Sequence, residues 1–418
     1  MSGSSRFSRL GALGHWYTTI ATRLWNVLLV VILLNLVLWP VFASFDGRPQ
    51  LPAWLAAFRQ TAGPAWASLL YPGWDEQSVI ALYDESFRLT FQYDSVTQFT
   101  LQPTRGTYYK ISEHGFRLNG HSAPWPPDPA AFNVFVFGGS TTFALGLPDS
   151  ESIPAALESM LQDAPCGPPA RVYNFGVPAH ASVEERARFE QLLVQGTMPR
   201  IAVFVDGIND SFNDARQGAG NARSTDDLAR MMALANTKDT LVRFRAHARE
   251  VIAVLPMTRL ALAVRGELVR RVRDIGLARP AVSNIQVETE GRVERWLANK
   301  QLVEAAGEQY GVQTLFVWQP APIYNYVPGD HLIAGQVPPW PDWTARYQGQ
   351  TTLYDRLNER RQDPDVAANL LWLADLQATM TGSLYVDPLH YTAAFSREIA
   401  RAIADDLRQR GWLPCAGS

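Results

Sequence analysis

A mostly parallel β-sheet covered by helices on both faces is the fold that this 418-residue sequence predicts. Two observations point to it. Four short apolar stretches, residues 133–137, 171–175, 201–205 and 314–318, are each followed closely by Gly or Pro, as buried parallel strands are. Helical segments alternate with them, and strands alternating with helices give a parallel sheet with both faces covered. The first strand runs into Gly138-Gly139. Pro148-Asp-Ser-Glu-Ser152 then supplies cap chemistry for a helix over 153–162. The second strand closes on Gly176, and Ser182 caps a helix to about residue 194. The third ends at Asp206-Gly207, the fourth at Pro320, and a last helix covers 393–409.

Composition sets the class. Hydrophobic residues make up 47% and charged residues 18%, and the formal net charge is −3. That is a globular chain with no bulk electrostatic signal for nucleic acid. Residues 24–44 contain no charge and are mostly Leu, Val, Ile, Phe and Trp. A run of ~20 apolar residues spans a bilayer as a helix. Arg6, Arg9 and Arg23 precede it, and Asp46 and Arg48 are the first charges beyond it, so the tail 1–23 is expected in the cytoplasm and the remainder outside, anchored in a cell inner membrane. Trp25 and Trp39 stand near the two ends, where indoles favour the interface. A cleaved leader is the competing reading, with Pro40 ending the apolar helix and Val41-Phe42-Ala43 as the cleavage site. The length of the apolar run and of the segment before it favours an uncleaved single-pass anchor.

Residues 45–132 read as a membrane-proximal stalk and N-terminal extension, with a short helix near 74–91 and a strand-like stretch over 92–116, a small β-rich piece expected to pack on the main domain. The main domain is expected over 133–415, interrupted by a helical insertion at 215–308 and a Pro-, Tyr- and Trp-rich one at 319–363.

In an open α/β sheet, sites form at the carboxyl ends of strands. Gly-Gly-Ser140-Thr-Thr stands at the end of the first. A serine on a Gly-flanked turn before a helix exposes its hydroxyl beside backbone N–H groups, although Gly-Gly-Ser alone is common in ordinary turns. A serine nucleophile needs a base, and the base an orienting acid. Of seven histidines only His390 has an acid three residues before it, in Asp387-Pro-Leu-His390. On a tight turn that spacing brings a carboxylate to imidazole Nδ1 and leaves Nε2 for the serine. Asn209, in Gly-Ile-Asn-Asp after the third strand, could donate to an oxyanion, or serve as an Asx turn or helix cap. Gly176 could lend its N–H, or be a plain turn glycine. No Cys/His spacing of the zinc kind occurs, and no cofactor is expected.

In order along the chain, Gly-Gly-Ser140, Asn-Phe-Gly176, Gly-Ile-Asn209-Asp and Asp387-Pro-Leu-His390 resemble the four signature blocks of the SGNH (GDSL-like) hydrolases. The resemblance covers roughly residues 133–214 and 313–410. It departs in reading Gly-Gly-Ser for Gly-Asp-Ser, and in Ala394-Phe395 after the histidine. It implies a flavodoxin-like three-layer α/β/α domain with Ser140 as nucleophile, His390 as base and Asp387 as orienting acid. The Ser140 and Gly176 N–H groups and the Asn209 amide would form the oxyanion hole. It also implies an O-acetyl or short-chain ester of an exported polysaccharide as substrate, cleaved or transferred. Alternatives are a non-catalytic polysaccharide-binding component of a secretion complex and a lipid esterase or thioesterase.

The remaining features carry two readings each. Cys166 and Cys415 are an even pair in an exported chain, either a disulfide or two buried thiols. By resemblance they follow two helices that pack side by side, which makes a bond between them reasonable. Arg243, Arg245, Arg249, Arg259, Arg265, Arg270, Arg271 and Arg273 outnumber Glu250 and Glu267 in the helical insertion. They form the solvated face of a lid or a contact with anionic lipid or polysaccharide. Tyr324, Tyr326, Trp340, Trp343 and Tyr347 either pack their loop or stack on sugar rings. His180, close to Gly176, either touches substrate or stands at the rim of the site.

Overall fold

The computed structural model describes residues 4–46, 49, 51–162, 167–212, 248, 251–274, 285–326, 332 and 343–414. They fall into two compact units, Met1–Arg48 with Asp226–Val282, and Pro49–Thr225 with Ser283–Ser418.

The first unit holds helix α1 (Ser4–Asp46), whose stretch Trp16–Ser44 is long and apolar enough to cross a membrane. A second helix, named α9 below, belongs to it.

The second unit begins with helices α2 (Ala53–Ala62), α3 (Trp66–Leu70) and α4 (Glu76–Phe87). The antiparallel pairs β1 (Phe91–Asp94) with β2 (Gln98–Leu101) and β3 (Thr104–Arg105) with β4 (Lys110–Ile111) follow. The alternating part then runs β5 (Phe132–Gly138), α5 (Ser140–Phe143), α6 (Ile153–Gln162), β6 (Ala170–Gly176), α7 (Ser182–Val194), β7 (Ile201–Asp206) and α8 (Ile208–Phe212). After α9 (Pro256–Asp274) of the first unit come α10 (Ile285–Tyr310), β8 (Gln313–Trp318), α11 (Trp343–Arg360), α12 (Pro364–Ala367), β9 (Leu370–Trp372) and α13 (Ala393–Gln409).

The sheet order is β6-β5-β7-β8-β9, every pair parallel. Period-2 alternation sorts its two faces by side-chain type. Val134, Val136, Val172, Val203, Val205, Leu315 and Val317 point to one face, where α6 and α13 pack side by side and bury Leu157, Ile399 and Ile403. Phe135, Phe137, Phe175, Phe204, Phe316 and Trp318 point to the other. In-register pairing of Phe137 with Phe204, and of Phe204 with Phe316, stacks their rings at centroid distances of 4.9 and 5.2 Å. Burying such rings contributes about 1.5–3 kcal/mol each, which makes this ladder a large part of the core.

Two long helices fall in the stretches expected as insertions. α10 begins within 215–308 and ends at Tyr310, and α11 lies within 319–363; both cover the aromatic face of the sheet. Val293, Trp296 and Val303 of α10 and Leu353, Tyr354 and Leu357 of α11 are buried in its core. Their apolar residues form a narrow stripe on otherwise charged helices, so the average polarity of the segment conceals the packing. β9 was also missed, because three residues carry too little periodicity. The N-terminal extension packs on the sheet domain through its helices as well as its β-rich piece: Leu55, Phe58, Trp66, Leu82 and Tyr109 share a core with Phe143, Leu147, Val177 and Val386.

Candidate active site

β5 delivers the chain to Ser140 through two glycines that tolerate no side chain. A Cβ on Gly138 would stand 2.1 Å from Thr142 Oγ1, and one on Gly139 2.0 Å from Asn209 Nδ2. The chain therefore turns sharply into α5, and the half-exposed Ser140 begins that helix. Its other end is held by Arg117, whose side chain is fully buried. The guanidinium donates to the carbonyls of Phe143, Ala144 (2.9 Å), Leu147 (2.7 Å) and Tyr108 (3.1 Å), and pairs with Asp149 at 2.8 Å. It also lies 4.4 Å from the Tyr109 ring centroid and 4.7 Å from that of Phe143. One cation thus caps the short helix and ties the N-terminal extension to the turn that carries Ser140.

Asp387 and His390 sit on a tight hairpin just before α13. The Val386 N–H donates to the His390 carbonyl at 2.9 Å, the Thr392 N–H to the Leu384 carbonyl at 2.9 Å, and Tyr385 bridges Tyr391. Inside this turn Asp387 Oδ1 accepts the Leu389 and His390 N–H groups, both at 2.8 Å, and Oδ2 lies 2.6 Å from His390 Nδ1. Burial raises the Asp387 carboxyl, but the His390 charge, the bond to its ring and the two N–H groups outweigh it, so the pKa lies below its ordinary value. The carboxylate fixes the Nδ1–H tautomer, and Nε2 is left with a lone pair.

The nucleophile turn and the acid–base turn are joined through one atom. Gln319, the residue after β8, places Oε1 2.6 Å from the Thr141 hydroxyl and 2.9 Å from the Tyr391 hydroxyl, which also lies 2.7 Å from the Pro320 carbonyl. Thr141 follows Ser140 and Tyr391 follows His390, so Gln319 sets the spacing of the two turns. The Ser140 hydroxyl makes no hydrogen bond to His390 among the described residues; catalytic contacts in a free site are commonly looser than in the complex. Gln319→Leu is expected to lower kcat for a small ester by about 10–100-fold with little change in KM, since a misplacement near 1 Å costs that much. Steady-state kinetics check it; a KM-only effect would mean that Gln319 does not set the spacing.

Asn209, at the start of α8, reaches the nucleophile turn. One amide N–H donates to the His180 carbonyl at 2.6 Å, which leaves the other for a ligand. Gly176 does not serve as a free donor: its N–H bonds Asn174 Oδ1 at 3.0 Å. Its lack of a side chain has a different use, because a Cβ there would stand 2.4 Å from Phe143 N and push α5 away. Ala179, three residues on, has φ +72° and an N–H with no partner among the described residues. A non-Gly residue held in that region costs of order 1–3 kcal/mol, and such residues cluster at functional sites.

His180 is not a rim residue. Its ring is buried, packs edge-on to Phe99 at 5.0 Å, and lies 2.9 Å from the Phe99 carbonyl through Nε2. Burial lowers its pKa to about 4, so near neutral pH it is uncharged. Tyr324 and Tyr326 are buried too. The first packs on Tyr354 and Trp372, the second on Tyr385. Neither offers a free face to a sugar. Trp340, Cys166 and Cys415 lie outside the described residues, as do the side chains of Trp343 and Tyr347.

Behind Asn209 stands a buried acidic group. Asp210 accepts the Ser182 hydroxyl at 2.6 Å, Asp206 accepts Trp296 Nε1 at 2.9 Å, and Glu184 accepts the Ala181 N–H at 3.1 Å. Burial pushes Glu184 up to about 7 and Asp206 up to about 8, and raises Glu185 and Asp210 as well. The folded protein keeps these protons where the unfolded chain has lost them. Their contribution to stability is therefore full below the ordinary carboxylate range and falls as pH rises toward about 8. Asp206→Asn is expected to flatten that slope in thermal melts taken across pH 5–8; an unchanged slope would contradict it.

Two recesses flank the site. One, about 220 Å³, is polar and lies at the end of β6, with Asp94, His114, Trp125, His180 and Arg188 among its lining residues. The other, about 360 Å³, is apolar and is bordered by Trp54, Tyr83, Phe87, Phe91, Leu145 and Asp387.

No protein-family profile matches the sequence, and no curated protein does. Among solved structures, the chain is similar to an acetyl xylan esterase (13% identity, 66% of this chain and 99% of that one, TM-score 0.36). It is similar to a psychrotrophic esterase from Pseudoalteromonas sp. (13%, 67% and 98%, TM-score 0.33). A member of the lipolytic G-D-S-L family from Veillonella parvula is a third (9%, 66% and 97%, TM-score 0.32). In its own geometry, a five-stranded parallel sheet with Ser140 after one strand and an Asp387–His390 pair before the last helix, the domain resembles the SGNH hydrolases.

Proposed function

We propose that this domain is a serine esterase or acyltransferase. The observation that carries the reading is the Asp387–His390 pair, joined through Gln319 to the turn of Ser140. His390 Nε2 takes the Ser140 proton as Oγ bonds the ester carbonyl carbon. The carbonyl electron pair moves to oxygen, which meets the Ser140 N–H, the free Asn209 N–H and the Ala179 N–H in place of Gly176. The intermediate collapses, the C–O bond to the alcohol breaks, and His390 returns the proton to the departing oxygen. Water or a second hydroxyl then attacks the acyl-serine by the same route.

The substrate we assign is an O-acetyl or other short acyl ester on an exported cell-envelope polysaccharide. Three arginines before the apolar helix favour a cytoplasmic N-terminus and an extracytoplasmic domain. The polar recess with Trp125 and Arg188 suits hydroxyl-rich ligands. The apolar recess beside Asp387 favours a second reading, an ester with a longer acyl chain. Hydrolysis of p-nitrophenyl esters of increasing chain length by the full chain in detergent tests both. Highest kcat/KM on acetate supports the first reading, and a maximum at medium or long chains the second. No turnover of any ester, with or without a sugar acceptor, would reject the enzyme.

A further inference from the structure

From Val251 to Val264 the sequence carries one charge, Arg259. An apolar stretch of about 10–14 residues is too short to span a bilayer, and is either a core helix or a re-entrant or interfacial segment. It is not a core helix here. Val251, Ile252, Val254, Leu260, Leu262 and Val264 are 46–62% exposed, around the whole circumference of the chain. A helix that is apolar all round needs an apolar medium.

The same unit shows which medium. Residues 253–259 pack on the apolar part of α1, where Trp39, Phe42, Ala43, Ala253, Val254 and Pro256 surround a recess of about 360 Å³. Arg259 lies 4.6 Å over the Phe42 ring. Asn35, a polar residue within the apolar stretch, accepts the Met257 N–H at 3.0 Å and donates to the Val31 carbonyl at 2.8 Å. Met257 is near the start of α9, where N–H groups have no helical partner. In lipid each such group must be satisfied by protein, and this contact satisfies both sides at once. Beyond Val264, α9 turns basic, with Arg265, Arg270, Arg271 and Arg273 against Glu267 and Asp274.

We infer that residues 251–264 are buried in the acyl-chain layer of the bilayer crossed by α1, as a second membrane-embedded segment packed on that helix. The arginines that follow meet anionic headgroups at its boundary. The enzyme is then fixed to the membrane at two places in its sequence, not by a single flexible tether. The inference rests on α1 crossing the bilayer.

The test is photolabelling of the full chain in phosphatidylethanolamine–phosphatidylglycerol vesicles that contain a phosphatidylcholine with a diazirine in its acyl chain, followed by peptide mapping. Label is expected on peptides covering 24–44 and on those covering 251–264. Label on 24–44 alone would overturn the inference while leaving the anchor intact, and would mean that a second copy or another protein covers the segment. Label on neither would overturn the anchor as well. The double variant Ile252→Asp, Leu262→Asp is expected to lose label at 251–264 and keep it at 24–44; unchanged labelling of 251–264 would count against the inference.

Discussion

Ser140→Ala is expected to reduce kcat/KM for p-nitrophenyl acetate by on the order of 10⁴-fold or more, the scale seen when a serine-hydrolase nucleophile is removed. The fold should not change, because the hydroxyl supports nothing: Ser140 is half-exposed and its oxygen makes no hydrogen bond among the described residues. Identical thermal unfolding with activity lost is the expected pair of results. Retained activity would move the nucleophile elsewhere. Asp387→Asn should be nearly as severe. It keeps the shape of the turn but removes the charge that selects the His390 tautomer across a 2.6 Å contact.

Arg117→Met is expected to cost about 3–5 kcal/mol of stability, the range for breaking one partner of a buried ion pair. Asp149 is 3% exposed and would keep only the more exposed Lys110, at 3.4 Å. The carbonyls of Phe143, Ala144 and Leu147 would lose a donor that water cannot readily replace. Urea midpoints with an unchanged m-value would report the loss. The double variant Arg117→Met, Asp149→Asn should recover part of it, since it removes the stranded charge. Activity should fall as well, because the same carbonyls hold the turn that begins at Ser140. A loss below about 1 kcal/mol would place the pair among weak surface bridges and contradict the role given to Arg117.

Much of the sheet was legible because buried parallel strands are short, apolar and closed by glycine. Strands expected at 133–137, 171–175, 201–205 and 314–318 extend by only one or two residues in the structure. The helices expected at 153–162, 182–194 and 393–409 are present, but Ser182 is the first helical residue and not its cap: Ala181 takes the N-cap position and the Ser182 hydroxyl donates to Asp210. Sequence and structure part where burial does not follow composition. α10 and α11 look polar because a core stripe of three or four residues is diluted by charged neighbours. For Tyr324 and Tyr326 two readings stay open in the sequence, loop packing and a sugar platform, because sequence cannot separate a loop aromatic that faces a sugar from one that faces Tyr354 or Tyr385; the structure packs both. The family resemblance implies an oxyanion donor at Gly176, yet the carboxamide two residues earlier accepts its N–H, a contact the sequence does not announce. Gln319, Tyr391 and Arg117 gave no local signal, since their importance lies in contacts 26 to 178 residues away.

The central claim is that Ser140, activated by His390, forms a covalent acyl-enzyme. Treating the full chain with a fluorophosphonate and mapping the modified peptide tests it most directly. A fluorophosphonate reacts far faster with a serine whose proton is being taken by a base than with an ordinary one, so it reads the nucleophile and its partner without a known substrate. The expected result is one adduct on Ser140, absent in Ser140→Ala and strongly slowed in His390→Ala. No adduct on the folded protein, or an adduct on a different serine, would contradict the account.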